Sequence, residues 1–117
     1  MKALIVSVFL VFAFLGLDFL GSIHVFEPVE AGDVAEIHVN VKNPTGQSFD
    51  DVVVRAYALD ISDLGITADF DLDRYERNGF WLEIPVPENA PKGDNLYKIT
   101  VSSDEIYDSQ YIYINVR

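Results

Sequence analysis

From Val34 to Lys42 the chain places Ile37, Val39 and Val41 at every second position and fills the gaps with Glu36, His38, Asn40 and Lys42. An alternation of period two is the mark of a strand with one face against a core and one in water, and no helix can present it without burying charge. The pattern recurs along the chain. Ile23 to Phe26 is a short first strand, and Asp51 to Leu59 is apolar on much of both faces, as a central strand is. Ile66, Ala68, Phe70 and Leu72 alternate with Thr67, Asp69, Asp71 and Asp73. Further strands are predicted over Phe80 to Ile84, Leu96 to Ser102 and Tyr111 to Val116. The breaks between them carry turn chemistry: Glu30-Ala-Gly-Asp33, Asn43-Pro-Thr-Gly46, and a turn expected at Asn78-Gly79, while Pro85, Pro87 and Pro91 forbid helix. About seven short strands with no helical period after residue 22 predict an all-β fold, an immunoglobulin-like antiparallel β-sandwich. A small barrel of the same strand count stays open, because periodicity fixes faces and not closure. Trp81, beside Phe80 and Leu82, is expected to pack as a core or rim aromatic.

The N-terminus follows another rule. Lys2 is followed by an apolar run from Ala3 to Leu17, which Asp18 ends. A basic residue and about 15 apolar ones form signal-peptide anatomy, short of the roughly 20 needed to span a membrane. The chain therefore divides into residues 1–22, a hydrophobic signal or membrane-anchor helix, and 23–117, the sandwich. The junction has no A-x-A, and Gly16, Gly21 and Ser22 each suggest a different cut. The expected location is secreted or cell-surface, with the membrane touched only through residues 1–22 if they are retained.

Nineteen acidic against eight basic residues give a net charge of −11, which argues against nucleic acid as a partner, because phosphate binding needs clustered Lys and Arg. With no cysteine, neither disulfides nor thiolate chemistry is available. His24 and His38 lie in separate strands without HExxH spacing, so they read as surface or edge histidines, and no serine stands in a nucleophile elbow. Glu83 and Asp73 are a carboxylate pair of the kind that arises by chance in so acidic a chain. Asn43-Pro-Thr45 is barred from N-glycosylation by its proline. No enzyme is predicted.

Two groups of residues remain as candidate sites. Asp69, Asp71 and Asp73, with Asp60, Asp63 and Glu76 nearby, are the candidate metal ligands, because calcium takes six to eight hard oxygens. They fail as an EF-hand loop: its sixth position would be Arg74 and its twelfth Phe80. On a strand the three share a face at about 7 Å spacing, so a solvated acidic face is the simpler use. No other cofactor is indicated. Tyr107, Tyr111 and Tyr113 are the candidate interface, with Tyr57 near, since tyrosines offer wide amphipathic contact at low entropy cost; cross-strand packing within the sheet is the competing use.

The order Asn43-Pro-Thr-Gly46, Asp51-Val-Val-Val-Arg-Ala-Tyr-Ala-Leu59, Asp63-Leu-Gly-Ile66, Leu82-Glu-Ile-Pro85 and Ala90-Pro-Lys-Gly93 leading to Tyr97-Lys-Ile-Thr-Val101 resembles archaeal S-layer and cell-surface immunoglobulin-like domains. It is also similar to the cell-adhesion-related (CARDB-like) β-sandwich group. The resemblance covers roughly residues 30 to 117, and departs where Asp94, Asn95 and Leu96 precede Tyr97. It implies a structural or adhesive role and carries over no catalytic residue. The expected function is a non-enzymatic exported cell-surface module whose partners are other cell-surface proteins or copies of itself. The alternative is a subunit of an extracellular filament, in which the N-terminal segment or first strand of one copy completes the sheet of the next.

Overall fold

A computed structural model describes residues 17–26, 28–58, 65–67 and 69–117. Of the signal or anchor helix expected over residues 1–22, residues 1–16 lie outside the described residues, as do Asp60 and Asp63, and Leu20, Gly21 and Ser22 are not helix but the start of a strand. Among the described residues there are eight strands: β1 (Leu20–Val25), β2 (Val34–Lys42), β3 (Phe49–Ala58), β4 (Gly65–Ile66), β5 (Phe70–Leu72), β6 (Arg77–Pro85), β7 (Gly93–Ser102) and β8 (Tyr107–Val116). All strand pairs are antiparallel. They form two separate sheets, β1-β2-β6 and β4-β3-β7-β8, with β5 also pairing β3. That division answers the question of closure: the molecule is a β-sandwich.

Alternation sets which side chains enter the core. Ala35, Ile37, Val39 and Val41 of β2 and Leu82 and Ile84 of β6 face Val52, Val54 and Ala56 of β3, Tyr97, Ile99 and Val101 of β7, and Ile114 and Val116 of β8. Burying each Val, Ile or Leu side chain contributes about 1.5–3 kcal/mol, so this shared interior holds the fold together without a disulfide. Among the described residues Asn43 and Thr100 are the buried polar ones, Thr100 on the outward parity of β7.

Several boundaries depart from the sequence reading, each for a local reason. β1 begins at Leu20, not Ile23, because Phe19 and Leu20 are drawn into the core, Phe19 meeting Phe49 edge-on at 5.8 Å between ring centroids. Their amides donate to one oxygen of Asp108, Oδ2, at 2.9 Å each, and Gln110 donates back to the carbonyls of Leu20 and Gly21. A register shift between Leu20 and Ile23 accommodates this anchoring. The single strand suggested by Ile66 to Asp73 is two, β4 and β5, on different parts of β3. Asn78-Gly79 is not a turn but lies inside β6, opposite Val41 and Asn40. The turn is at Arg74–Tyr75, closed by the Glu76 amide donating to the Asp73 carbonyl. At the other end, Val29 bridges Val116, and the Arg117 amide donates to the Val29 carbonyl. The chain thus passes from the edge of one sheet to the edge of the other between β1 and β2. In its first-strand form the filament alternative would require β1 to leave its pairing with β2, whereas its other form uses the N-terminal segment, of which residues 1–16 lie outside the described residues.

Candidate functional site

The outward positions of β3, β7 and β8 build a tyrosine-rich face. Register puts Tyr57, Lys98 and Tyr111 in one row across the three strands, with Leu96 and Tyr113 in the adjacent row and Ser102 beside Tyr107 at the far end. Tyr107, Tyr111 and Tyr113 are 41%, 59% and 61% exposed. Their strand continues inward through Ile112, Ile114 and Val116, so the tyrosines are outward because the alternate residues are core. The Lys98 ammonium lies 5.8 Å from the ring centroids of both Tyr107 and Tyr111, within cation–π range. A hydrogen bond to Tyr107 and that phenol's charge hold the Lys98 pKa above its ordinary value, against a small opposing effect of burial and with lesser help from Tyr111 and Tyr57. The structure therefore brings the three predicted tyrosines onto one face and adds Lys98, which sequence reasoning missed. Its signal was present in the outward parity of β7, legible once Lys98 is set opposite Tyr111.

The outward face of β1-β2-β6 is the second surface. Trp81, expected in the core or at its rim, is 60% exposed on this face, because Leu82 and Ile84 take the inward parity of β6. Phe26, 44% exposed, stacks on it at 5.2 Å between ring centroids. His38 meets Trp81 edge-on at 4.9 Å, and His24 meets Phe26 edge-on at 4.4 Å. Two open hollows flank these rings. One, of about 290 Å³, is lined by Glu36, Trp81, Leu82 and Glu83. The other, of about 370 Å³, is bounded by Gly21, Ser22, Asn40, Lys42, Arg77 and Asn78.

The candidate metal ligands are not gathered into a site. Asp69, Asp71 and Asp73 are each exposed on or beside the three-residue strand β5. No group of three or more His, Asp or Glu that could hold a metal ion occurs among the described residues. Glu76 Oε1 instead accepts from the Asp73 amide, which ties the turn. Among the described residues no helix is long and apolar enough to cross a membrane.

The fold and these surfaces define a class: a small antiparallel β-sandwich with aromatic side chains exposed on the outer faces of both sheets. Solved structures place it among known folds. It is similar to the CARDB domain of a Pyrococcus furiosus protein, with a TM-score of 0.55 and 18% identity over 84% of this chain and 94% of that one. It is similar also to the sporulation control protein Spo0M of Bacillus subtilis, with a TM-score of 0.59 and 14% identity over 82% of this chain. A family 123 glycoside hydrolase from Clostridium perfringens matches at a TM-score of 0.52 and 13% identity over 75% of this chain. The chain spans about half the length of Spo0M, 48%, and 21% of the hydrolase. No protein-family profile matches the chain, and no curated relative does. At these identities the likeness is one of fold.

Proposed function

We propose that the chain is a non-enzymatic module exported to the cell surface, of the structural or adhesion type, whose work is contact between folded surfaces. The observation that carries this reading is the tyrosine face: three tyrosines more than two-fifths exposed on one strand, gathered around Lys98. Contact surfaces are enriched in tyrosine because the ring covers much area with few torsions to freeze. The CARDB likeness supports the cell-adhesion-related form of this reading, as does the strand connectivity, which suits an immunoglobulin-like sandwich. Export rests on the basic and apolar sequence of residues 2–17, and the S-layer-associated form on the resemblance of residues 30–117 to archaeal surface domains.

The test is membrane-impermeant biotin labelling of intact cells that produce the full chain, followed by fractionation of the envelope. The expected result is labelling of intact cells, with the Tyr111→Ser/Tyr113→Ser variant exported equally but released from the envelope by washing. A chain that is labelled only after lysis overturns export. Retention unchanged in the variant overturns the tyrosine face.

A further inference from the structure

The outer face of β1-β2-β6 is self-complementary, and we infer that it pairs with the same face of a second copy of this chain. The inference is independent of the tyrosine face, which lies on the other sheet. Along β2 and β6 the outward residues face each other in the order Glu36 and Glu83, His38 and Trp81, Asn40 and Gly79, Lys42 and Arg77. Two carboxylates stand together at one end and two cations at the other. Like charges directly opposite on neighbouring strands destabilise a sheet, and exchanging one residue of each pair would have given two favourable pairs instead. As an isolated molecule the protein gains nothing from this order. A second copy turns it into complementarity.

The charges select the geometry. Two faces can stack about a two-fold axis lying in the interface, either along the strands or across them. An axis along the strands sets carboxylates on carboxylates. An axis across the strands reverses the strand direction, so Glu36 meets Lys42 and Glu83 meets Arg77 of the second copy, and each pairing occurs twice. The same operation treats size as it treats charge. The row His24, His38 and Trp81 falls on the row Ser22, Asn40 and Gly79, whose members are joined by the Asn40 side chain donating to Ser22 Oγ at 2.8 Å and by the pairing of Asn40 with Gly79. The ring row stands proud, with Trp81 60% exposed, and the other row borders the hollow of about 370 Å³. Over Gly79 that space is taken by the same copy's His38 ring, so the low ground of the second row is at Ser22 and Asn40, on which His24 and His38 of the other copy fall.

Nine residues of strand and a width of three strands give a footprint of roughly 450 Å² per copy, or about 900 Å² in all, which is below a standard interface and in the size range of weak, transient associations. Such a dimer presents the two tyrosine faces outward in opposite directions.

Trp81 is the chain's one tryptophan, so its fluorescence reads the interface directly. The experiment is sedimentation velocity with tryptophan emission on the chain purified as the cell makes it, from about 1 µM to about 1 mM. Its partners are the variants Lys42→Glu/Arg77→Glu, acidic at both ends, and Glu36→Lys/Glu83→Lys, basic at both ends. The expected result is reversible dimerisation with a blue shift of Trp81 emission, weakened at least tenfold in each variant alone and restored when the two variants are mixed. Wild-type chain that stays monomeric throughout overturns the inference. So does undiminished association of either variant, which would place the contact elsewhere, including residues 1–16. Variants that are weak alone and remain apart when mixed overturn the cross-strand geometry.

Discussion

The Nε2 atom of His38 lies 2.7 Å from the point where a Cβ on Gly79 would stand, and its Cε1 lies 2.8 Å away. Gly79 is therefore glycine to make room for an imidazole, not to turn the chain. Alanine there forces the ring off its edge contact with Trp81. A glycine in a strand is otherwise a loss of about 0.5–1 kcal/mol relative to alanine. Gly79→Ala is expected to destabilise the protein by about 1 kcal/mol alone and to stabilise it by about 0.5 kcal/mol when His38 is also alanine. Urea unfolding of the four chains of this double-mutant cycle measures the coupling.

The anchoring of β1 bears on where the leader proposed for the N-terminus would be removed. Phe19 and Leu20 are buried, and their amides are held by Asp108. A cut after Gly21 or Ser22 discards both side chains, at about 3–5 kcal/mol for the phenylalanine alone. A cut after Gly16 keeps them. Intact mass of the exported chain is expected to place the N-terminus upstream of Phe19. A chain begun at Ile23 should melt many degrees below one begun at Leu17, and equal melting temperatures would contradict the anchoring.

Where one parity is an unbroken apolar row the alternation alone places it: β2 matches its expected span from Val34 to Lys42, and β8, though it begins at Tyr107 and not at Tyr111, carries Ile112, Ile114 and Val116 inward and Tyr111 and Tyr113 outward as expected. What could not be read depends on contacts between distant residues. Gly79 looks like a turn glycine until His38, 41 positions earlier, is set beside it. Trp81 looks like a core residue until Leu82 and Ile84 are seen to claim the inward parity. Phe19 looks like the tail of the apolar leader until Asp108, 89 residues away, caps its amide. Of the candidate surfaces, the tyrosines follow from strand parity, whereas Lys98 and the charge order of β2 and β6 appear only once register is known.

Asn43 ties three segments with one buried side chain. Its Nδ2 donates to the carbonyls of Gln47 at 2.6 Å and Asp73 at 2.9 Å, with a longer bond to Leu72, and its Oδ1 accepts from the amide and hydroxyl of Thr45. Removing a buried partner leaves groups unsatisfied at about 1–3 kcal/mol each. Asn43→Ala should cost about 2–4 kcal/mol. Asn43→Asp should cost more, since a carboxylate cannot donate and would face carbonyl oxygens. Chemical denaturation at neutral pH checks both the size and the order.

Lys98 gives the tyrosine face a pH dependence of defined sign. Its pKa is raised above 10.5 in the folded protein, first by the hydrogen bond to Tyr107. A group held above its unfolded value contributes stability that is complete below that value and is lost as the pH rises through the folded one. Because the ammonium is largely solvent-facing, the contribution is small, under about 1 kcal/mol. The wild-type protein should lose stability more steeply than Lys98→Met as the pH passes above 10.5, and the two should run parallel between pH 6 and about pH 9. Urea midpoints on both sides of that boundary test it, and parallel curves across the whole range would remove the assigned contact.

Calcium is the remaining question of ligand chemistry. The ion requires six to eight oxygens at about 2.3–2.6 Å, and strand geometry holds alternate side chains about 7 Å apart. Asp69, Asp71 and Asp73 are exposed and do not converge, and Glu76 is engaged in the turn that follows them. A ligand that binds only the folded state raises the melting temperature in proportion to the logarithm of its concentration over Kd. Thermal melts of the full chain with about 5 mM calcium against a chelator are therefore expected to differ by less than about 1 °C, the effect of ionic strength alone. A rise of several degrees that Asp71→Asn abolishes would assign a calcium site to this acidic strand, completed by oxygens from outside the described residues.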